Sequence, residues 1–244
     1  MLSLDRQNRL RQRYRQMNPN WQPATELFAG LVRERLQPGS RILDLGCGRG
    51  GLVEQLAHPL EKTIGLDPDQ VSLSQHRLAH SKPPLSRVAG LSQHLPFTGQ
   101  KFDLIFASWV LEHLVQPEDD WRQIGRVLRP GGEFVFITPN KRHPLAALNR
   151  SLGRFKRLQG QLVQGFYGRM AVDSFPTYYR ANTAADLERL ASSAGMRLTH
   201  LQAIPDPTYM AFGRALFHLS CWLESRLPAG RHIHLVGVAE KERI

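Results

Sequence analysis

The stretch Arg41-Ile42-Leu43-Asp44-Leu45-Gly46-Cys47-Gly48-Arg49-Gly50-Gly51 decides the fold. A short apolar run, suited to a buried strand, empties into glycines that can turn tightly and let backbone approach a ligand. If a helix opens there, its N-terminus offers free backbone N–H groups. Gly46, Gly48 and Gly51 also satisfy G-x-G-x-x-G, a pattern that is weak by itself and compatible with a plain strand-to-helix turn. Two acids sharpen it. Asp67 falls 21 residues after Gly46, at the end of the next apolar run, where a carboxylate can bridge the two hydroxyls of a ribose. Asp44 stands two residues before the first glycine. A carboxylate there favours a bound cationic or amine-bearing group and repels a pyrophosphate.

Outward from this loop, short β-rich runs alternate with helical stretches, the pattern of an α/β domain whose mainly parallel sheet is covered on both faces. Strands are expected at Arg41–Leu45, Thr63–Leu66, Arg87–Ala89, Phe102–Ala107 and Glu133–Thr138, with helices at about Gly51–Ala57, Pro68–Ala79 and Pro117–Leu128. Pro130-Gly131-Gly132 cannot continue the last of these. The alternation lapses after Thr138. It resumes with a helix near Thr183–Ala194, Thr183 suiting an N-cap and Gly195 a C-cap, and strands at Arg197–Gln202 and His232–Ala239 complete the pattern.

DLGCGRG, GLDPD, LPFTGQKFDLIFASWVLEHL and IGRVLRPGGEFVFITPN follow one another in unbroken order over Leu36–Asn140. Together they resemble the signature segments of class I S-adenosylmethionine-dependent methyltransferases, of the kind that includes quinone-biosynthesis methyltransferases. The resemblance implies a Rossmann-like seven-stranded mixed sheet in the order 3-2-1-4-5-7-6, with the last strand antiparallel, helices on both faces and a helical cap. It implies S-adenosylmethionine as cofactor. Asp44, Gly46, Cys47, Gly48 and Gly50 would then line the methionine end, Asp67 would hold the ribose with Pro68 beside the adenine, and Ser108 and Trp109 would flank the sulfonium. Family members often carry an acid just after the third strand, for the adenine amino group, and Leu91 stands in its place here. Backbone near Leu91 and Ser92, or Gln93, would have to serve instead.

Composition bounds the remaining possibilities. The 244 residues carry 32 Lys plus Arg against 21 Asp plus Glu, a formal net charge of +11. That excess invites nucleic-acid binding until it is located. Residues 1–20 hold +4 and residues 141–180 hold +7, while the rest of the chain nets zero. Nucleic acid is therefore not the expected partner, although an RNA-directed methyltransferase and a non-enzymatic cofactor-binding regulator are the alternatives to a small-molecule enzyme. Two cysteines, Cys47 and Cys221, cannot build a disulfide scaffold or a four-ligand zinc site, so no metal is expected and a reducing, cytoplasmic setting is the default. No apolar run reaches the roughly 20 residues that span a bilayer.

Methyl transfer from a sulfonium asks mainly for alignment and exclusion of water, so a catalytic dyad need not be visible. His113, after the fourth strand, is the candidate general base; a structural histidine beside Glu112 is the alternative. Tyr178, Tyr179 and Arg180 form a candidate acceptor wall, the tyrosines as hydrogen-bond partners or base and Arg180 as anion anchor. The bland reading leaves the tyrosines filling the domain edge and Arg180 paired with Asp173 or Asp186.

Residues 1–35 read as an N-terminal arm or lid, with Trp21 a candidate cover and its arginines a solvated face; residues 36–244 read as the methyltransferase domain with cap insertions at about 141–182 and 203–230. In the first insertion Phe155, Leu158, Leu162 and Phe166 recur at helical spacing with Arg154, Lys156 and Arg157 on another face. That suits a basic lid facing an anionic substrate or membrane surface, or simply a solvated face. In the second, Phe212, Leu216, Leu219 and Leu223 share one helical face and Ala211, Ala215, His218 and Trp222 another, for which core packing is expected, with a dimer contact or the lining of an apolar substrate pocket as alternatives. The acceptor is expected to be a small molecule or lipid-like compound; the oligomeric state is left open by the sequence.

Overall fold

The computed structural model describes residues 4–146, 175–211 and 213–243. Strands β1 (Ile42–Leu45), β2 (Thr63–Asp67), β3 (Ser86–Ala89), β4 (Phe102–Ser108), β5 (Leu128–Pro139), β6 (Met196–Ile204) and β7 (His234–Lys241) make one sheet in the order 3-2-1-4-5-7-6. The first five strands run parallel, and β7 inserts antiparallel between β5 and β6, with Phe136 opposite Gly237.

Both faces of the sheet are covered, which is why the central strands are continuous apolar runs. Ile42, Leu104, Phe106, Val135 and Val236 face helix α2 (Ala24–Arg35), whose Phe28, Leu31 and Val32 are buried against them. Leu43, Leu45, Ile105, Phe134 and Phe136 face the other way, onto Trp121 and Ile124 of α4 (Pro117–Val127) and Leu187 and Leu190 of α5 (Ala184–Ser193). Trp121 is fully buried, edge-on to Phe134 and Phe136 at 5.3 and 5.7 Å. The expected cap of α5 is present: the Asp186 N–H donates to the Thr183 hydroxyl at 3.1 Å, and Gly195 takes φ +68 just beyond the helix end.

Two expected helices are corrected. Gly51–Ala57 forms only a 3-10 turn at Val53–Gln55, and Pro68–Ala79 yields only the short α3 (Gln70–Ser74). Hydrophobic spacing alone does not sustain these helices: Gly50 and Gly51 precede the first without an N-capping side chain, and Asp69 caps just one turn of the second, accepting from Val71 and Ser72. The N-terminal region forms two helices, with Arg6, Arg9 and Arg13 of the first exposed. α2 is part of the core, and α1 (Leu4–Met17) is tied down by Arg11, which donates to the buried Asp206 at 2.8 and 3.1 Å. The lid residues Phe155, Leu158, Leu162 and Phe166, with Arg154, Lys156, Arg157 and Asp173, lie outside the described residues, as does Phe212.

Candidate cofactor and acceptor site

The glycine loop sits at the carboxyl ends of β1 and β2, where open α/β sheets bind ligands. The Gly46 and Cys47 N–H groups donate to the Leu66 carbonyl at 2.7 and 3.1 Å, folding the loop over the end of β2. Gly46 takes φ +77, and a Cβ built there would overlap Val110. Cys47 is buried with its sulfur against Gly65, so only its backbone faces the loop. Gly48 (φ +50) donates its N–H to Asp67 Oδ2 at 2.9 Å, while Asp67 Oδ1 accepts from the Asp69 N–H at 2.8 Å. Asp67 is thereby fixed towards the loop, and each oxygen has a second lone pair to offer. Gly50 takes φ +112 at the loop's end.

Asp44 is 5% exposed, beneath this loop. Burial, followed by the charges of Asp67 and Glu54, pushes its pKa up to about 8. Three carboxylates thus converge where a cationic ligand would relieve them all. Pro68 after β2, Val71 in α3 and Leu91 after β3 are exposed apolar residues at this edge of the sheet. Sequence reasoning missed Asp120 of α4, a buried acid whose Oδ1 accepts a hydrogen bond from the Ser92 hydroxyl. Burial raises its pKa to about 6. With its hydroxyl proton so engaged, Ser92 presents oxygen lone pairs rather than a donor.

The acceptor side begins where β4 ends. Ser108 is half-buried, and Trp109 follows with φ +59, a conformation bulky residues rarely adopt and one that clusters at functional sites. The loop after β4 zips to the segment before α5. The Tyr178 and Tyr179 N–H groups both donate to the Glu112 carbonyl, at 2.7 and 3.2 Å, and Arg180 donates to the Val115 carbonyl at 2.5 Å. His113 Nδ1 is 2.9 Å from the Pro176 carbonyl. A carbonyl only accepts, so Nδ1 carries the proton of neutral His113, and Nε2 is the nitrogen able to take one. His113, Tyr178, Tyr179 and Arg180 therefore share one neighbourhood. Within it Tyr178 is exposed under Arg180, at 5.7 Å, whereas Tyr179 is buried with φ +53. The Glu112 carboxylate accepts from the Thr138 hydroxyl at 3.1 Å, and Asp186 belongs to the α5 cap.

A second polar layer, unforeseen as a unit from the sequence, closes the far side of Trp109. His234 at the start of β7 lies edge-on to Trp109 at 5.0 Å and 2.9 Å from the Tyr209 hydroxyl. Burial lowers its pKa to about 4, so it is neutral, and its Nδ1 has no hydrogen-bond partner among the described residues. Glu224 of α6 (Arg214–Arg226) sits between His143 Nε2 at 3.0 Å and His232 Nδ1 at 3.2 Å. Burial disfavours its ionisation, but hydrogen bonds from the two histidines outweigh burial and hold its pKa below the usual carboxylate value. Trp21 Nε1 donates to the Pro205 carbonyl at 2.7 Å, which places this aromatic at the end of β6. No signal of period or motif could have joined these residues, because they come from five separate segments. Among the described residues, no group of His, Cys, Asp and Glu is arranged to hold a metal ion.

The strand order, the glycine loop and the acid ending β2 define the class I methyltransferase fold. A family model for a methyltransferase domain matches residues 43–136. The mitochondrial ubiquinone biosynthesis O-methyltransferase of Homo sapiens is 33% identical over 129 residues, covering 50% of this chain and 32% of that protein. The fatty-acid O-methyltransferase of Mycolicibacterium smegmatis is 32% identical over 130 residues, covering 52% of this chain and 47% of that protein. The chain thus spans less than half the length of either relative. A solved complex between the Haloferax volcanii Trm112 methyltransferase activator and a methyltransferase superposes with a TM-score of 0.64 at 18% identity, over 91% of this chain and 90% of that one. Residues 43–136 therefore match a methyltransferase domain, set in a sheet with the strand order of the class I fold.

Proposed function

We propose that this protein methylates an oxygen of a small, lipid-like acceptor, using S-adenosylmethionine. The observation that carries the cofactor's placement is the buried Asp44, whose carboxyl is held near a pKa of 8 by burial and by its acidic neighbours Asp67 and Glu54. A ligand bearing a sulfonium and an ammonium supplies the missing positive charge. On this reading Asp44 and the backbone of Gly46, Cys47, Gly48 and Gly50 hold the methionine end and Asp67 the ribose. Pro68 and Leu91 flank the adenine, and Ser92, fixed by Asp120, accepts from its amino group. Ser108 and Trp109 border the transfer site. The chemistry supplied when the cofactor is bound is an electrophilic methyl carbon with a neutral thioether as leaving group.

The chain's own residues then have two tasks. His113 Nε2 takes the proton of the acceptor hydroxyl, which raises the nucleophilicity of that oxygen. Trp109, with Tyr209 and His234 behind it, borders the apolar part of the acceptor, and Tyr178, Tyr179 and Arg180 face its polar part, with Arg180 the anchor for any acidic group. Relatives named for ubiquinone biosynthesis and for fatty-acid O-methylation support an apolar acceptor bearing a hydroxyl or carboxyl group.

The test is methyl incorporation from radiolabelled S-adenosylmethionine into prenylated phenols, long-chain fatty acids and transcribed RNA. Transfer to the first or second class supports the reading. Transfer to RNA alone would assign the chain to nucleic acid, and cofactor binding without transfer to any class would make it a regulator.

A further inference from the structure

α6 leaves most of its apolar surface uncovered. Phe217, Ser220, Cys221 and Glu224 face inward, whereas Leu216, Leu219, Trp222 and Leu223 on the outer side are 41%, 48%, 53% and 43% exposed. This overturns the expectation of core packing for both faces of that helix. A contiguous exposed apolar patch of this kind marks an interaction surface. Its flanks are cationic. The Arg226 guanidinium lies 5.2 Å from the Trp222 ring. At the other end, α1 and α6 enclose a cavity of about 290 Å³ lined by Arg6, Arg9, Arg13 and Arg214 over Leu10 and Phe217. The only acid of α6 is Glu224, turned inward to His143 and His232, and the only acid of α1 is Asp5 in its first turn.

Leucine and tryptophan between arginines, with no carboxylate on the outer face of α6, is the make-up of a helix that lies in the plane of a bilayer interface. Guanidinium groups match lipid phosphates in charge and geometry. A second copy of this chain fits worse, because a two-fold contact would set the same arginines against one another. RNA would satisfy the arginines but leave the leucine stripe facing a polyanion. We propose that the outer face of α6, together with the arginines around the α1–α6 cavity, docks this protein onto an anionic phospholipid bilayer. Leu216, Leu219, Leu223 and Trp222 enter the acyl boundary, and the guanidinium groups take lipid phosphates. The inner face of the same helix, through Glu224, stands at the carboxyl edge of the sheet. Docking therefore holds that edge of the sheet close to the bilayer, whichever acceptor is methylated.

The experiment uses the full chain with vesicles of phosphatidylcholine alone and of phosphatidylcholine with phosphatidylglycerol, read by co-sedimentation and tryptophan fluorescence. Binding to the anionic vesicles only, weakened by salt, is expected. A blue shift should accompany it and vanish in Trp222→Tyr, since Trp222 is the one tryptophan on the exposed face. Arg9→Ala with Arg13→Ala should lower partitioning roughly fivefold per charge removed. Leu219→Glu with Leu223→Glu should abolish it, with circular dichroism and S-adenosylmethionine binding unchanged in both double variants. Failure to bind anionic vesicles would overturn the proposal, as would binding undiminished in the two double variants. So would a dimer in sedimentation velocity that only the leucine variant dissociates, or RNA binding that only the arginine variant loses, if vesicles stay unbound.

Discussion

The sharpest prediction concerns Asp44 and the pH dependence of cofactor binding. The carboxyl is held near a pKa of 8, above its ordinary value of 3.8, by burial first and then by Asp67 and Glu54. At pH 6 to 7 the free protein therefore carries Asp44 largely neutral, and a cationic ligand must expel a proton to meet a carboxylate. The apparent dissociation constant for S-adenosylmethionine should fall about tenfold for each pH unit between pH 6 and 7. It should level off near pH 8, where the amino group of the ligand itself begins to lose charge. Titration calorimetry at pH 7 in buffers of different ionisation enthalpy should report the release of nearly one proton per cofactor bound. Asp44→Asn should bind weakly and with a flat profile over the same range. The sign for stability is opposite. Between pH 4 and 8 the folded state holds a proton that the unfolded state has lost, so the ligand-free protein loses stability as pH rises through that window. Asp44→Asn should therefore raise the apo melting temperature more at pH 8 than at pH 5, by roughly 10 °C, since the proton the folded state retains over those three pH units is worth about 4 kcal/mol. A dissociation constant flat from pH 6 to 8 in the parent protein, or a slope that survives in Asp44→Asn, would refute the reasoning.

Gly46→Ala should destabilise the fold by about 2 kcal/mol and cost cofactor affinity, because φ is +77 and the new methyl meets Val110; adding Val110→Ala should restore part of the stability by thermal melting but not all of it, since the backbone strain persists. Glu224→Ala should cost about 3 kcal/mol in denaturant unfolding by stripping His143 and His232 of their shared partner. That loss should shrink as pH falls through the depressed pKa of Glu224, where the parent protein surrenders the same interaction. His113→Gln should lower turnover roughly 100-fold or more, with the S-adenosylmethionine dissociation constant unchanged; full turnover in the variant would leave His113 a loop residue bonded to Pro176.

Much of the architecture follows from local pattern. Apolar runs such as Phe102–Ser108 and Leu128–Pro139 are long, continuous and β-rich, and a strand buried on both faces has no other way to be written. Helix lengths were harder to read, as at Val53–Gln55 and Gln70–Ser74, because a short amphipathic stretch becomes a helix only if tertiary packing supports it. His113, Tyr178 and Arg180 were visible as residue types in suggestive places. That they meet through the Glu112, Val115 and Pro176 carbonyls is a matter of backbone hydrogen bonds, which leave no trace in side-chain identity.

The sequence by itself determined the class of the domain and the chemistry of its cofactor loop, since glycines and acids at fixed spacing around a strand end act locally. Only the tertiary structure decided which side of each embellishment is exposed. The +11 charge belongs in part to Arg11, spent on the buried Asp206, and in part to arginines that border a cavity. α6, with apolar residues on two faces, buries just one of them, and the choice rests on Glu224, whose bonds to His143 and His232 turn that side inward. A helical pattern states which residues share a face; the partners available across the fold settle which face is buried.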